Sequence, residues 1–340
     1  MQPAPRQTLT DLARVAGISR AAASYAMRGD TSVSRETVER VRKIAAEIGY
    51  SPDARVSSLM AHIRRNRLPQ NREALAFVWV STYPGEKFPA YHQHYLRTIL
   101  AGAKLRAHEL GCSLAEFWLD EPGMTPARLW RILRTRGITG VVFSPAMHDL
   151  AIALDWAWEH FACAVIGNTE WTPPLHRAGH YHYRSMWLTL QRLRDEGFHR
   201  PAAILNRSIH ERLRGIQAAA FHANHPSPDL ALKLVQFALP EHHSGLRRWR
   251  GEAQPDALII GWPVYGADAD TLRKLAPAAK RVVTLDWHPR GLLPGMDVMN
   301  DQIAANAVDL VMAQLHRNER GVPARPINLL LDGTWRERDS

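Results

Sequence analysis

Two pairs of closely spaced histidines are the side chains of this chain best suited to metal chemistry. One residue separates His92 from His94, and one residue separates His180 from His182. A protein zinc site takes at least three side-chain ligands, and no cysteine or carboxylate stands at a supporting spacing beside either pair. The chain has 17 histidines, so such pairs arise readily by chance. We therefore expect no metal and no cofactor.

Enzyme signatures are also missing from the sequence. It contains no phosphate-binding P-loop, no G-x-G-x-x-G dinucleotide fingerprint and no G-x-S-x-G nucleophile elbow. Cys112 and Cys163 are isolated in apolar surroundings, which is typical of reduced core cysteines and not of a disulfide framework. We expect no enzymatic activity.

The N-terminal segment predicts three short capped helices. Thr8 and Asp11 form the Ser/Thr-x-x-acid capping pattern, and Gly17 supplies the left-handed residue that ends the first helix. Ser19 caps a second helix after a short turn, and Ser34 caps a third. Two helices joined by so short a turn form a helix-turn-helix, which presents its second helix to the DNA major groove. The alternative is a helical bundle used only for packing.

The distribution of charge favours DNA binding over simple packing. The formal net charge of the chain is +10. Residues 1–72 contain 13 Lys/Arg and 6 Asp/Glu, so most of the excess positive charge lies on about a fifth of the chain. A concentrated basic surface attracts phosphate and releases counterions when it binds DNA.

The N-terminal segment contains four distinctive motifs: Leu12-Ala13-x-x-Ala16-Gly17-Ile18-Ser19, Ser24, Val33-Ser34-x-x-Thr37 and Gly49-Tyr50-x-Pro52. With these motifs it resembles the DNA-binding domain of the lactose/galactose repressor family, almost without interruption over residues 8–60. The resemblance implies a transcription regulator, most simply a repressor. Its expected partners are a near-palindromic double-stranded DNA operator and a second copy of the chain.

The family resemblance implies DNA contacts for individual residues of the helices. Arg20, Ala21 and Tyr25 match the base-reading positions of the second helix. Arg20 can fork onto guanine O6 and N7, Ala21 offers only a methyl group, and Tyr25 can hydrogen-bond or stack. At Ser19 and Ser34, helix capping is an equally good account. The positions that match DNA-backbone contacts are Ser19, Ser24, Arg28, Ser34, Thr37 and Tyr50.

The segment after the third helix resembles the hinge of the family. Leu59 matches the leucine that wedges into the minor groove at the operator centre, although an apolar residue there also suits a core. Its position between Pro52 and the basic residues 64–72 favours the wedge. Asp53 stands where the family commonly has Asn, and its charge would repel a nearby phosphate. We assign residues 1–63 to a headpiece with a hinge helix and residues 64–72 to a basic linker.

Residues 73–340 predict a different kind of domain. Short apolar runs alternate with amphipathic stretches, which predicts parallel sheets covered by helices, and about 270 residues suit two lobes. The family resemblance continues here more weakly and implies a two-lobed periplasmic-binding-protein-like effector domain, with chain crossovers near Trp171, Pro289 and Gly321. The expected lobe 1 comprises residues 73–169 and 290–320, and the expected lobe 2 comprises residues 170–289 and 321–340.

The resemblance places an effector site between the lobes, where ligands meet the carboxyl ends of the strands. Arg214 matches the ligand-clamping arginine of the family. Asp286, at the end of an apolar run, matches the acidic residue that accepts hydrogen bonds from sugar hydroxyls.

Other residues depart from a sugar pocket. Trp262 replaces a residue that is usually polar, Arg184 stands near an often acidic position, and Trp287 follows the acidic residue. Tyr83 follows the first strand and is a further candidate to face the cleft. Two arginines and several aromatic rings suit an anionic or aromatic metabolite as well as a sugar. The alternative has Arg214 in a salt bridge and Trp262 in the core, with a degenerate cleft and no effector response.

A competing class is a small-molecule-binding module that has acquired a headpiece. The sequence has no apolar signal segment at its N-terminus and no apolar run long enough to span a bilayer. These features and the basic hinge favour a cytoplasmic regulator without membrane contact.

Overall fold

The computed structural model describes residues 8–28, 33–50, 74–80, 90–146, 150–238, 254–263 and 279–337. Leu59, Tyr83 and the linker 64–72 lie outside the described residues. The side chains of Arg20, Ala21 and Arg28 lie outside them too, although the backbone of their helix is described.

Three helices form the headpiece: α1 (Leu9–Ala16), α2 (Arg20–Arg28) and α3 (Arg35–Glu47). Their starts follow the predicted capping residues. The Thr8 hydroxyl accepts from the Asp11 amide at 3.2 Å, and the Asp11 carboxylate accepts from the Thr8 amide at 3.0 Å. The Ser19 hydroxyl accepts from the Ala22 amide at 3.1 Å. Local hydrogen bonds therefore fix where each helix begins.

Small side chains let the three headpiece helices pack closely. Leu12, Ala26 and Val41, one from each helix, are fully buried in a common core with Ala16 and Ala45. Gly17, at φ 67°, ends α1 in the left-handed conformation and allows the tight turn into α2.

Alternating strands and helices form the rest of the described chain. The strands are β1 (Ala74–Trp79), β2 (Ser113–Trp118), β3 (Gly140–Phe143), β4 (Ala151–Ala153), β5 (Ala162–Ile166), β6 (Glu170–Thr172), β7 (His176–His180), β8 (Pro201–Asn206), β9 (Val235–Ala238), β10 (Ala257–Ile260), β11 (Arg281–Thr284), β12 (Gly295–Asp297), β13 (Asn328–Leu331) and β14 (Thr334–Arg336). The helices are α4 (Ala90–Glu109), α5 (Pro126–Thr135), α6 (His182–Asp195), α7 (Arg207–Arg212), α8 (Ile216–Asn224), α9 (Pro228–Ala231) and α10 (Asn300–Arg317).

Two six-stranded sheets define the two lobes. The first has the order β13-β7-β5-β3-β1-β2 and is parallel throughout. The second has the order β14-β12-β11-β10-β8-β9 and is parallel except at β14. Helices α4 and α10 pack together over the first sheet. Gly102 permits this contact, because a Cβ atom there would lie 2.2 Å from the Asp301 carbonyl oxygen.

The crossovers between the lobes lie later in the chain than the sequence predicted. Strand β7 belongs to the first sheet although it follows Trp171, and β12 belongs to the second sheet although it follows Pro289. Strand β13 returns to the first sheet after Gly321. The physical reason is that strand pairing decides lobe membership. The predicted crossovers instead came from the family resemblance, which is weaker in this part of the chain. Strand β7 reads His-Arg-Ala-Gly-His and lacks the apolar run that marks a buried strand.

The segment 207–224 forms two helices and not one continuous helix. Arg214 and Gly215, with φ of 49° and 79°, separate α7 from α8. Two consecutive residues in the left-handed region break the α-helical hydrogen-bond ladder. This break also decides where the arginines of the segment point.

Among the described helices, none is both long and apolar enough to cross a membrane.

Candidate functional site

The outer surface of α2 is the candidate DNA-reading surface. Ala23 and Ala26 of this helix are fully buried, whereas the Tyr25 side chain is 42% exposed. Tyr25 therefore lies on the side of α2 that faces away from the headpiece core. Helix α2 begins at Arg20, directly after the short turn that follows α1.

Two of the hydroxyls predicted to contact the DNA backbone, those of Ser19 and Ser34, cap helices in the described structure. Ser34 accepts from the Thr37 amide at 3.3 Å, and the two hydroxyl oxygens lie 2.8 Å apart. Ser19 and Ser34 are exposed, so each hydroxyl can cap its helix and still donate its proton outward. Ser24 is half-buried, and half-buried Tyr50 packs against the headpiece core.

A cleft of about 410 Å³ lies between the two lobes. It is lined by the segments that follow the strands of both sheets, together with α4, α7 and the start of α10. The carboxyl ends of parallel strands leave unpaired backbone groups and loops there, which is where ligands bind in open α/β sheets. A volume of this size suits a small metabolite. The lining segments after strands are 145–146, 167–169, 180–182, 261–263 and 285–289.

Three of the predicted effector residues line this cleft: Trp262, Asp286 and Trp287. The Thr284 hydroxyl joins their loops, because it donates to the Trp262 carbonyl at 2.8 Å and accepts from the Asp286 amide at 3.1 Å. Trp262 is only 2% exposed and also belongs to the core of the second lobe, so the alternative prediction for it holds in part. Burial, reinforced by the charge of Asp297, raises the pKa of Asp286 to about 7.

The structure places the two predicted arginines outside the cleft. Arg214 lies in the break between α7 and α8, its side chain is 76% exposed, and its guanidinium pairs with the Glu170 carboxylate. This is the salt bridge that the alternative prediction described. Arg184 donates to Asp332 at 2.7 Å, and its guanidinium lies 5.2 Å from the centroid of a tryptophan ring on its own helix. These two arginines therefore give no support to an anionic effector.

Several cleft residues were not identified from the sequence. Arg212 ends α7 and lines the cleft in place of Arg214. Tyr95 of α4 lines it as well, and burial raises the pKa of its hydroxyl, with Arg212 and Asp286 acting in opposite directions. Gln217 of α8 is 4% exposed, and its Oε1 atom has no hydrogen-bond partner among the described residues. The sequence did contain a signal for Arg212, because it belongs to the same Arg-Leu-Arg triplet as Arg214. It did not show which of the two arginines the helix would place in the cleft.

Histidines from both pairs line the cleft, and burial lowers the pKa of His94, His180 and His182. Burial lowers the pKa of His180 to about 4 and holds that of His182 well below its ordinary value. His180 shares a hydrogen bond of 2.7 Å with the Ser185 hydroxyl, and the rings of His94 and His288 meet with their centroids 4.0 Å apart. Within the described residues, no group of three or more His, Cys, Asp or Glu side chains is arranged to hold a metal ion.

The chain thus combines an N-terminal helix-turn-helix domain with a two-lobed α/β domain of the periplasmic-binding-protein type. Residues 8–53 match the family described as bacterial regulatory proteins, lacI family. This match confirms the resemblance seen in the headpiece sequence, and it identifies residues 8–53 as a DNA-binding domain of this type. No curated protein is significantly similar to the chain in sequence.

Solved structures share the fold of the whole chain or of its larger domain. A transcriptional regulator CelR–cellobiose complex is 17% identical, covers 98% of this chain and 99% of its own, and superposes with a TM-score of 0.51. A transcriptional regulator from Rhizobium etli is 14% identical, with 79% and 99% covered and a TM-score of 0.54. A periplasmic binding protein/LacI regulator from Alkaliphilus metalliredigens, complexed with D-xylulofuranose, is 11% identical, with 78% and 98% covered and a TM-score of 0.50.

Proposed function

We propose that this protein is a transcriptional repressor that binds a near-palindromic operator as a homodimer. The observation that carries the proposal is the headpiece, in which a capped helix-turn-helix presents one face of α2 outward and matches a family of bacterial regulatory proteins. Because its target is DNA, the protein acts in the cytoplasm.

Individual headpiece residues have separate roles in this proposal. Arg20, Ala21 and Tyr25 read base edges, and the exposure of Tyr25 supports its role. Leu59 wedges into the minor groove at the operator centre. The residues that hold the phosphate backbone and set the register of α2 are Ser19, Ser24, Arg28, Ser34, Thr37 and Tyr50.

Two copies of the headpiece are needed because one small helix-turn-helix buries too little surface for tight, specific binding. A two-fold dimer reads two half-sites and explains why the operator is palindromic.

The cleft gives the repressor a means of control. A small molecule bound between the lobes would favour one degree of lobe closure and so one spacing of the two headpieces. It can shift the operator equilibrium only by its difference in affinity for the two states. The presence of an interlobe cavity favours this gated regulator over one with a degenerate cleft.

Selection from random duplex DNA with the full chain tests the proposal. The enriched sequences should contain an inverted repeat, and a reporter gene placed behind that repeat should be repressed when the protein is expressed. A protein carrying Arg20→Ala should lose the repression.

Enrichment of no sequence, or of a single unrepeated half-site, would contradict the dimeric operator. Activation of the reporter would contradict the repressor role and leave DNA recognition intact.

A further inference from the structure

The described residues that line the interlobe cleft carry an excess of negative charge. Asp286, Asp297 and Asp301 are among them, and Arg212 is their single Arg or Lys. Asp297 accepts a hydrogen bond from Arg336 at 3.2 Å, so part of its charge is balanced. Burial lowers the pKa of four cleft histidines, which disfavours their positive charge: His94, His180, His182 and His288. Arg212, which has interactions of its own within the protein, reduces the negative charge but does not cancel it.

Two tryptophans that line the cleft neighbour Asp286 but do not offer it open rings. Trp287 directly follows Asp286, and Trp262 occupies the place after strand β10 that Asp286 occupies after β11. Trp262 is 2% exposed, and the Arg336 guanidinium already lies 5.9 Å from the centroid of the Trp287 ring. Tyr95 lies close enough for the Asp286 charge to act on its hydroxyl. The carboxyl group of Asp286 is therefore the group in the cleft that can recognise an organic ammonium or guanidinium group.

Two hydrogen-bond acceptors that line the cleft have no donor among the described residues. The Asp286 amide bonds Thr284, but the Asp286 carboxyl accepts no hydrogen bond from the described residues. The Gln217 Oε1 atom, in a side chain that is 4% exposed, also has no partner among them. A buried acceptor without a partner destabilises the protein, so a ligand that supplies an N–H donor to Gln217 removes this cost on binding.

We propose that the effector is an organic cation, an amine or guanidinium compound whose N–H groups donate to Asp286 and Gln217. The inference rests on the proposed function, since it names the class of molecule that would occupy the effector cleft. It replaces the anionic effector that Arg184 and Arg214 suggested from the sequence.

Binding of such a cation has a proton linkage. The raised pKa of Asp286 means that this carboxyl is partly protonated near neutral pH. A bound cation would stabilise the carboxylate, lower its pKa and release a proton. An uncharged ligand would release none.

Two series of matched probes test the proposal by calorimetry on the full chain. The first is benzylamine, benzyl alcohol and benzoate, and the second is D-glucosamine, D-glucose and D-glucuronate. Within each series the shape is nearly constant while the charge changes from positive to neutral to negative. We expect each cation to bind about tenfold or more tighter than its neutral partner, and each anion to bind weakest.

Substitution of the carboxyl group identifies the site. Asp286→Asn should reduce the affinity of each cation to that of its neutral partner and leave the neutral probes unchanged. The matched control is Asp195→Asn, because Asp195 is exposed on α6 and outside the cleft lining. This control should preserve the full preference for the cation.

Equal affinities within both series, tighter binding of the anions, or no measurable binding of either cation would overturn the proposal. The proposal would also be overturned if Asp286→Asn left the preference for the cation intact. Operator binding measured on the same preparations separates this failure from failure of the proposed function. Specific DNA binding without a cation preference would reject the effector class alone.

Discussion

The headpiece and the interlobe cleft differ in the distance along the chain over which their functional residues are assembled. In the headpiece, Ser19, Tyr25 and Ser34 are positioned by caps and turns within one short segment. In the cleft, Tyr95 and Asp286 come from opposite parts of the chain and meet because two sheets end at the same place. Local hydrogen bonds determine the first site, whereas long-range strand pairing determines the second.

This difference predicts that the two sites can be perturbed separately. All 11 tryptophans lie at or beyond residue 79, so tryptophan fluorescence reports on the effector domain alone. Circular dichroism at the helical band and DNA binding report on the headpiece as well.

The largest expected effect is loss of the headpiece core. Leu12→Ala removes a fully buried side chain, which costs about 2–5 kcal/mol of unfolding free energy through lost burial and a cavity. The headpiece transition in urea should move to lower concentration, while the fluorescence transition stays in place. Val15→Ala is the control on the same helix, since Val15 is 53% exposed and should change stability by less than about 0.5 kcal/mol. A shift of both transitions by Leu12→Ala would show that the two domains unfold as one unit.

The next effect concerns the cleft and its pH dependence. The pKa of Asp286 rises from 3.8 to about 7 on folding, so the folded protein keeps a proton that the unfolded chain has lost. The contribution of Asp286 to stability is therefore greatest below pH 3.8 and falls as the pH rises to about 7. A tenfold change in an acid dissociation constant corresponds to about 1.4 kcal/mol, so a rise from 3.8 to about 7 corresponds to roughly 4 kcal/mol.

Asp286→Asn removes this titration. The variant should gain stability over the wild type between pH 5 and pH 8, by thermal unfolding monitored through tryptophan fluorescence. Asp195→Asn provides the exposed control. Parallel stability profiles for wild type and Asp286→Asn across that range would contradict the raised pKa.

A third prediction concerns base reading by the headpiece. Arg20→Ala should cost about 1–3 kcal/mol on the operator and relax specificity at one base pair in each half-site, because a fork onto guanine is lost. A binding titration on the operator and on random DNA measures both effects. Equal weakening on the two DNAs would assign Arg20 to the phosphate backbone.

A smaller effect is expected at the start of α1. Thr8→Ala removes the hydroxyl that accepts from the Asp11 amide and should destabilise the headpiece by about 1 kcal/mol. Thr8→Ser keeps the oxygen and should keep most of the stability. If both variants unfold at the wild-type urea concentration, the cap does not stabilise the helix in solution.

The smallest effect is expected at Arg214, which the structure places outside the cleft. Arg214→Ala breaks an exposed ion pair with Glu170, and such pairs contribute about 0–1 kcal/mol. Probe binding in the cleft should be unchanged by Arg214→Ala and altered by Arg212→Ala. A loss of probe binding from Arg214→Ala alone would return this arginine to the effector site.

The sequence was sufficient for the headpiece because its signals are local. The caps at Thr8, Ser19 and Ser34 and the turn at Gly17 each act over a few residues, and the structure contains all four features. The apolar runs likewise predicted the strands β1, β3, β8 and β10. These patterns could be read from the sequence because local backbone preferences and the burial of apolar residues favour the same structure.

The cleft could be predicted only in part. Asp286 and Trp262 directly follow apolar strands, so their place at a strand end was readable. Strand β7 has no apolar run that would mark it in the sequence. Its place in the sheet comes from its backbone pairing with β5 and β13, which polar residues can also make. Arg212 and not Arg214 lines the cleft because the helix breaks at two residues in the left-handed conformation, Arg214 and Gly215. An arginine in a sequence does not predict a left-handed residue.

Sequence-specific recognition by the headpiece is tested most simply by a titration of the full chain on three duplexes of equal length. These are the selected inverted repeat, a single half-site and a shuffled sequence. We predict binding to the inverted repeat about a thousandfold or more tighter than to the shuffled duplex, with the half-site far weaker than the full repeat. Equal affinity for the inverted repeat and the shuffled duplex would contradict sequence-specific recognition by the headpiece.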